Sequence, residues 1–119
     1  MRRVLLAVSV ILPCAALGES FDEAWRIGGF STPESAWYGA SIDKIVVSNI
    51  GVFGPDGGMD GRLSLVSADG TIETADWVTG LMDPKGMASH DGMLYVADAM
   101  GMHVISIADG RLVSTVALE

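Results

Sequence analysis

The chain states one pattern twice, and that duplication limits what it can fold into. Thr32-Pro33-Glu34-Ser35-Ala36-Trp37-Tyr38, the alternating run Lys44-Ile45-Val46-Val47-Ser48-Asn49 and Gly61-Arg62-Leu63-Ser64-Leu65-Val66-Ser67-Ala68-Asp69-Gly70 come first. They are echoed in order by Asp83-Pro84-Lys85-Gly86-Met87-Ala88, Met93-Leu94-Tyr95-Val96-Ala97-Asp98 and Met102-His103-Val104-Ile105-Ser106-Ile107-Ala108-Asp109-Gly110. The matched segments lie 40 to 51 residues apart. A repeat of that length, built from short strands and Asp-Gly turns, predicts an all-β fold of β-propeller type. In such a fold each four-stranded blade leaves apolar faces that only its neighbours can cover.

Runs rich in β-branched and aromatic residues, bounded by Gly, Asp or Pro, place strands at about 34–38, 44–49, 62–67 and 71–78, then at about 86–90, 93–98, 102–107 and 111–117. Asp69-Gly70, Asp91-Gly92 and Asp109-Gly110 fall between consecutive runs, where a two-residue hairpin needs the positive φ that Gly and Asp tolerate. Residues 19–29 form a lead-in carrying Phe21, Trp25 and Ile27 and ending at Gly28-Gly29, and 30–119 divide into blades of about 30–80 and 81–119. The blades differ in one connection: Ile50 to Asp60 in the first is matched only by Ala99-Met100-Gly101 in the second. Insertions in repeats commonly mark the binding face, although a Gly-rich stretch also describes an idle flexible loop.

Arg2-Arg3, the apolar run Val4 to Leu12 and the small residues Ala16 and Gly18 read as a signal peptide over 1–18, which predicts cleavage after Gly18 and a periplasmic or secreted protein. The run is shorter than the ~20 residues of a spanning helix, so no membrane association is expected once it is removed. Pro13 before Cys14 does not suit a lipid-attachment box. Losing Arg2 and Arg3 from the 7 Lys and Arg leaves 5 against 15 acidic residues, a net charge of −10. That surface repels nucleic acid and suits solubility or attraction of cations. Losing Cys14 also removes the single cysteine, which excludes a disulfide framework.

Pro33-Glu34-Ser35 with Tyr38, then Val46-Val47-Ser48-Asn49-Ile50, then Pro84-Lys85-Gly86-Met87-Ala88 with Asp91-Gly92 and Leu94-Tyr95-Val96-Ala97-Asp98 resemble the six-bladed propellers of the senescence-marker-protein/gluconolactonase (regucalcin-like) group and the related NHL-repeat proteins. The resemblance spans residues 30–119. In the lactonase branch it implies a divalent cation such as calcium in the central channel, held by a Glu that Glu34 matches in position and by Asn and Asp residues of other blades. The corresponding residue of the second unit is Lys85, whose ammonium has no lone pair to give. One carboxylate falls well short of the oxygen shell of calcium.

Glu34 is therefore the one metal-ligand candidate, and it and Lys85 are placed to meet as an ion pair at the channel rim. Asn49 and Asp98 end the second strands of their units and join Lys85, Asp56 and Asp60 as binding-face candidates. Asn49 and Asp98 equally suit capping of a turn, and Asp56-Gly57-Gly58-Met59-Asp60 lacks the alternating oxygens of a calcium loop. His90 and His103 have no companion ligands at zinc spacing. No Gly-x-Ser-x-Gly occurs and no Ser-His-acid spacing stands out, so no catalytic residue is assigned. Met82, Met87, Met93, Met100 and Met102 are expected to fill gaps in the core.

Propellers close with about four to eight blades, whereas two units account for 30–119. Two blades bury one interface and leave two apolar faces open. That predicts either a piece of a longer propeller, the favoured reading, or three copies assembling as a homo-trimer. The expected function is an exported binding or structural module for a small-molecule or protein ligand. The alternative is metal-dependent hydrolysis of a sugar lactone or related ester by the full-length propeller.

Overall fold

The computed structural model describes residues 20–118 of the chain, so the signal peptide expected at 1–18 lies outside the described residues. Eight strands and no helix occur among them. β1 (Pro33–Gly39), β2 (Lys44–Asn49), β3 (Gly61–Ser67) and β4 (Ile72–Leu81) form one antiparallel sheet in chain order. β5 (Met87–His90), β6 (Met93–Asp98), β7 (Gly101–Ser106) and β8 (Leu112–Ala117) form a second, again in chain order. The strands fall where the residue pattern puts them. β4 departs most, running on to Leu81, because irregularities in its register with β3 absorb the extra residues.

Side chains alternate across a strand, so register decides which residues share a face. Val46 lies opposite Trp37 and Leu65, and Leu63 opposite Val78, which gathers these residues on one face of the first sheet. Leu94 lies opposite Ile105 and Val96 opposite Met87, which does the same for the second. The two faces meet: Val46, Leu63, Val78 and Leu81 pack with Leu94, Val96, Ile105 and Ile107 in one core. Val46, Leu63, Leu94, Val96 and Ile105 retain no exposure, and sequestering each contributes about 1.5–3 kcal/mol. The first strands of the sheets, β1 and β5, lie against one another.

The outer faces are treated differently. That of the first sheet, with Ile45, Val47 and Val66, is roofed by the lead-in, which in the structure runs on to Thr32 ahead of β1 and whose Trp25, Ile27 and Phe30 close a cleft of about 390 Å³ over it. Trp25 Nε1 donates to Ala68 O at 3.0 Å, and its ring lies on Gly70 so closely that a Cβ there would meet it at 2.7 Å. The outer face of the second sheet bears Tyr95, Met102, Val104 and Val116, and Met102 and Val116 keep 37% and 59% of their surface exposed. The expectation that all the clustered methionines fill the core is corrected here: Met87 packs on the core, but Met100 and Met102 are exposed.

The lead-in is itself a partial copy of the end of β4. Trp77 lies on Gly110 as Trp25 lies on Gly70. Gly29 and Gly80 have φ of 94° and 75°, and Thr32 and Asp83 have φ of 51° and 53°.

The Asp-Gly tips also need a correction. Asp91 and Gly92 both have positive φ, 46° and 75°, and join His90 to Met93 as a two-residue hairpin. At Asp69-Gly70 and Asp109-Gly110 only the glycine has positive φ, and the loops are longer, closed by Ser67 N donating to Thr71 O and Ser106 N donating to Arg111 O. The aspartate serves there as an acceptor: Asp69 Oδ1 takes Thr71 N and Asp109 Oδ1 takes Arg111 N, each at 3.1 Å.

Candidate functional site

In an antiparallel meander the first strand begins where the second ends. The start of β1, the end of β2, the Ile50–Asp60 connection, the start of β5 and the end of β6 therefore share one end of the molecule. The metal-ligand and binding-face candidates from the sequence, Glu34, Asn49, Asp56, Asp60, Lys85 and Asp98, all fall at that end. The structure gives them different environments.

Glu34 sits where β1 slips register between Pro33 and Ser35, and it is exposed at the margin of the cleft under the lead-in. Lys85 does not meet it. Its Nζ stands 5.1 Å from the centre of the Phe53 ring, a cation–π contact with the inserted loop, and the expected Glu34–Lys85 ion pair is absent among the described residues. Spacing put the two residues at equivalent positions but could not foresee that the longer connection of the first unit reaches across with an aromatic ring.

That connection is organised from within. Asp60 Oδ2 accepts Val52 N at 2.9 Å, and Gly54 N donates to Asp83 Oδ2 at 3.1 Å. A Cβ on Gly57 would sit 1.9 Å from Val52 O, so the loop closes only with glycine there. Asp56 is exposed at the turn beside Gly57, and Val52, Phe53 and Met59 show 55%, 68% and 47% of their surface. The loop thus displays apolar side chains on a braced backbone.

Asn49 and Asp98 are buried and built into the frame. Asn49 Nδ2 donates to Val47 O at 3.1 Å and to Ser64 Oγ at 3.0 Å, while its Oδ1 accepts Ser31 N at 3.1 Å and so ties the lead-in to β2. At the equivalent place Asp98 Oδ2 accepts Met82 N at 3.0 Å, and Oδ1 accepts Met100 N at 2.7 Å. The third partner of Asp98 escaped the sequence reading. His103 Nε2 lies 2.5 Å from its Oδ2, and His103 Nδ1 lies 2.9 Å from Thr115 Oγ1.

A carboxylate can only accept, so Nε2 carries the hydrogen, and the second hydrogen bond joins Nδ1 to the Thr115 hydroxyl. The signal for this chain of bonds was present as register: Asp98 and His103 stand on one face across the β6–β7 turn, and Thr115 is directly opposite His103. Its connectivity is that of a hydroxyl activated by imidazole and carboxylate. Yet Asp98 and His103 side chains are 0% and 5% exposed, and the cleft lies beyond the first sheet from them. The arrangement ties three strands together.

Among the described residues no three His, Cys, Asp or Glu side chains gather as a metal would require. Glu34 offers one free carboxylate, and Asp60 already spends an oxygen on its own loop. Chemically, this end of the molecule presents an apolar loop, an ammonium held over an aromatic ring and a carboxylate beside a nonpolar cleft. No family model matches the chain, nor does any curated protein or solved structure.

Proposed function

We propose that the two sheets are blades of a β-propeller of the gluconolactonase-like and NHL-repeat class, and that the chain is an exported binding or structural module. Its contact surface is the end that carries Glu34, the Ile50–Asp60 loop and Lys85. The observation that carries the reading is that β1 and β5 lie side by side while each sheet runs on from them in chain order. That is the relation of neighbouring blades about an axis. The apolar side chains of Val52, Phe53 and Met59 beside Lys85 give this end the mixed character of a surface that takes a small-molecule or protein ligand.

Metal-dependent hydrolysis of a sugar lactone is the competing chemistry, and one calorimetric experiment separates the two. Titration with calcium, followed by assay of lactone opening, is expected to give no micromolar site and no turnover. A micromolar site that vanishes in Glu34→Gln, with turnover lost alongside it, would replace the module by a hydrolase.

A further inference from the structure

We infer that the uncovered face of the second sheet docks the outer face of the first sheet in a second copy of this chain. The copies thus associate head to tail through a repeat of the contact already buried inside each one. The inference rests on the propeller reading of the sheets. Register supplies the correspondence residue by residue. Val46 pairs with Leu65, and Leu63 with both Ser48 and Val78. Tyr95 pairs with Val104, and Met102 with both Ala97 and Val116. Tyr95, Val104, Met102 and Val116 therefore stand in the second sheet where Val46, Leu65, Leu63 and Val78 stand in the first. In the first-sheet set Val46, Leu63 and Val78 are buried against the second sheet and Leu65 is half-buried; in its second-sheet counterpart Met102 and Val116 are exposed and Tyr95 and Val104 half-buried.

The complementary surface exists as well. Ile45 pairs with Val66 as Leu94 pairs with Ile105, and Val47 occupies the place of Val96. Leu94, Val96 and Ile105 are the residues that receive the first sheet within the chain. Their counterparts Ile45, Val47 and Val66 line the cleft under the lead-in. The lead-in fills only part of that surface. By the Gly29 to Gly80 correspondence, Phe30 stands where Leu81 would, and Ile27 where Val78 would. Among the described residues none stands where Val46, Leu63 and Leu65 would, and that space is the cleft of about 390 Å³. Tyr95, Met102 and Val104 of another copy are the side chains that answer it. A contact joining two different faces repeats around a ring if its rotation closes. Rings of about four to eight sheets then correspond to two, three or four copies, with three for a six-bladed ring.

Sedimentation velocity of the whole chain over a range of concentrations tests this, with Met102→Lys blocking the head and Ile45→Lys blocking the tail. Each single variant is expected to be monomeric at concentrations where the unaltered chain is oligomeric, its dissociation constant raised about tenfold or more by the lost apolar contact. An equimolar mixture of the two is expected to form a dimer, because one intact head still meets one intact tail. An unaltered chain that stays monomeric, or an Ile45→Lys variant that still dimerises through paired open faces, overturns the inference.

Cysteine replacements, milder on folding, give an independent check in a Cys14→Ser background. Met102→Cys with Ile45→Cys should cross-link between copies, whereas Met102→Cys alone should not; the reverse result refutes head-to-tail docking. A monomer that still unfolds as one cooperative unit refutes self-docking and leaves the propeller reading standing. Amide exchange showing the two sheets opening independently would instead remove the reading beneath it.

Discussion

The equivalent residues Asn49 and Asp98 occupy one position of the repeat with opposite hydrogen-bonding demands, and exchanging them tests the frame at the end of the molecule where both lie. Asp98 faces three donors, Met82 N, Met100 N and His103 Nε2. Asn49 faces Val47 O and Ser64 Oγ with its amide nitrogen and Ser31 N with its oxygen. Asp98→Ala leaves the buried imidazole without its charged acceptor, at about 1.5–3 kcal/mol, and two part-buried amides that water reaches, at about 0.5–1 kcal/mol each. The sum is about 2.5–5 kcal/mol, a large share of the 5–15 kcal/mol by which domains are stable.

Asp98→Asn keeps the shape and one acceptor but turns an N–H toward a donor, and should cost about 1–2 kcal/mol. The reverse exchange is harsher. In Asn49→Asp a carboxylate at a site with no exposure would face a carbonyl, and Ser64 is already committed as donor to Ala75 O at 2.7 Å. A cost of about 3 kcal/mol or more follows from burying that charge against acceptors. Urea unfolding with an unchanged m-value reads each difference from the midpoint. Equal costs for Asp98→Ala and Asp98→Asn, or a neutral Asn49→Asp, would refute the bonding scheme.

Three further outcomes follow from the turns and the glycines. Hydrogen bonds from the Ser67 hydroxyl and from Thr71 hold the Asp69 carboxyl below the usual carboxylate range, and the Arg111 N–H with the Ser106 hydroxyl does the same at Asp109. A carboxyl depressed in the folded state adds stability that is present above its unfolded pKa and lost as pH falls through its folded one. Urea midpoints measured from pH 5 downward should therefore fall less steeply in Asp69→Asn/Asp109→Asn than in the unaltered chain, and an identical acid limb would count against these bonds. At Gly101, φ is 144° and a Cβ would lie 2.1 Å from Val116 O. Gly101→Ala should cost about 2–4 kcal/mol and speed amide exchange across 112–117. Gly86→Ala, whose Cβ meets nothing within 4 Å, should be neutral within about 0.5 kcal/mol.

The strands were legible because period-two patterning and turn residues are local, and β2 and β6 start and stop where their residues say. The turn types were legible only in part. Asp-Gly marks a reversal, but whether the aspartate takes positive φ, as Asp91 does, or accepts a hydrogen bond, as Asp69 and Asp109 do, depends on loop length. The candidate site was legible as a place and not as a set of contacts. Strand topology brings Glu34, Asn49, Lys85 and Asp98 to one end, while the partner each side chain finds is set by neighbours distant in sequence. Lys85 meets Phe53 from the inserted loop, and Asp98 meets a histidine on the next strand. The lead-in was opaque for a related reason. Its likeness to the end of β4 lies in backbone angles at Gly29 and Thr32 and in one tryptophan, with few shared side chains between.

That likeness bears on how the molecule is built. Each sheet has a tryptophan resting on the glycine of its β3–β4 or β7–β8 tip, and in both cases the tryptophan comes from the chain segment preceding the sheet: Trp25 for the first, Trp77 for the second. Each sheet also has a second-strand polar residue that accepts a backbone N–H from that preceding segment, Asn49 from Ser31 and Asp98 from Met82. The unit of construction is therefore a sheet together with the terminal part of whatever comes before it. Adjacent units are locked at the tip by an aromatic ring and at the opposite end by a side-chain to backbone hydrogen bond, with the apolar core between. A unit joined this way fixes the placement of its neighbour through two separated contacts as well as through packing. Two-point fixing resists rotation of one sheet over the other more strongly than an apolar interface alone, because burial of nonpolar area is not directional and hydrogen bonds are.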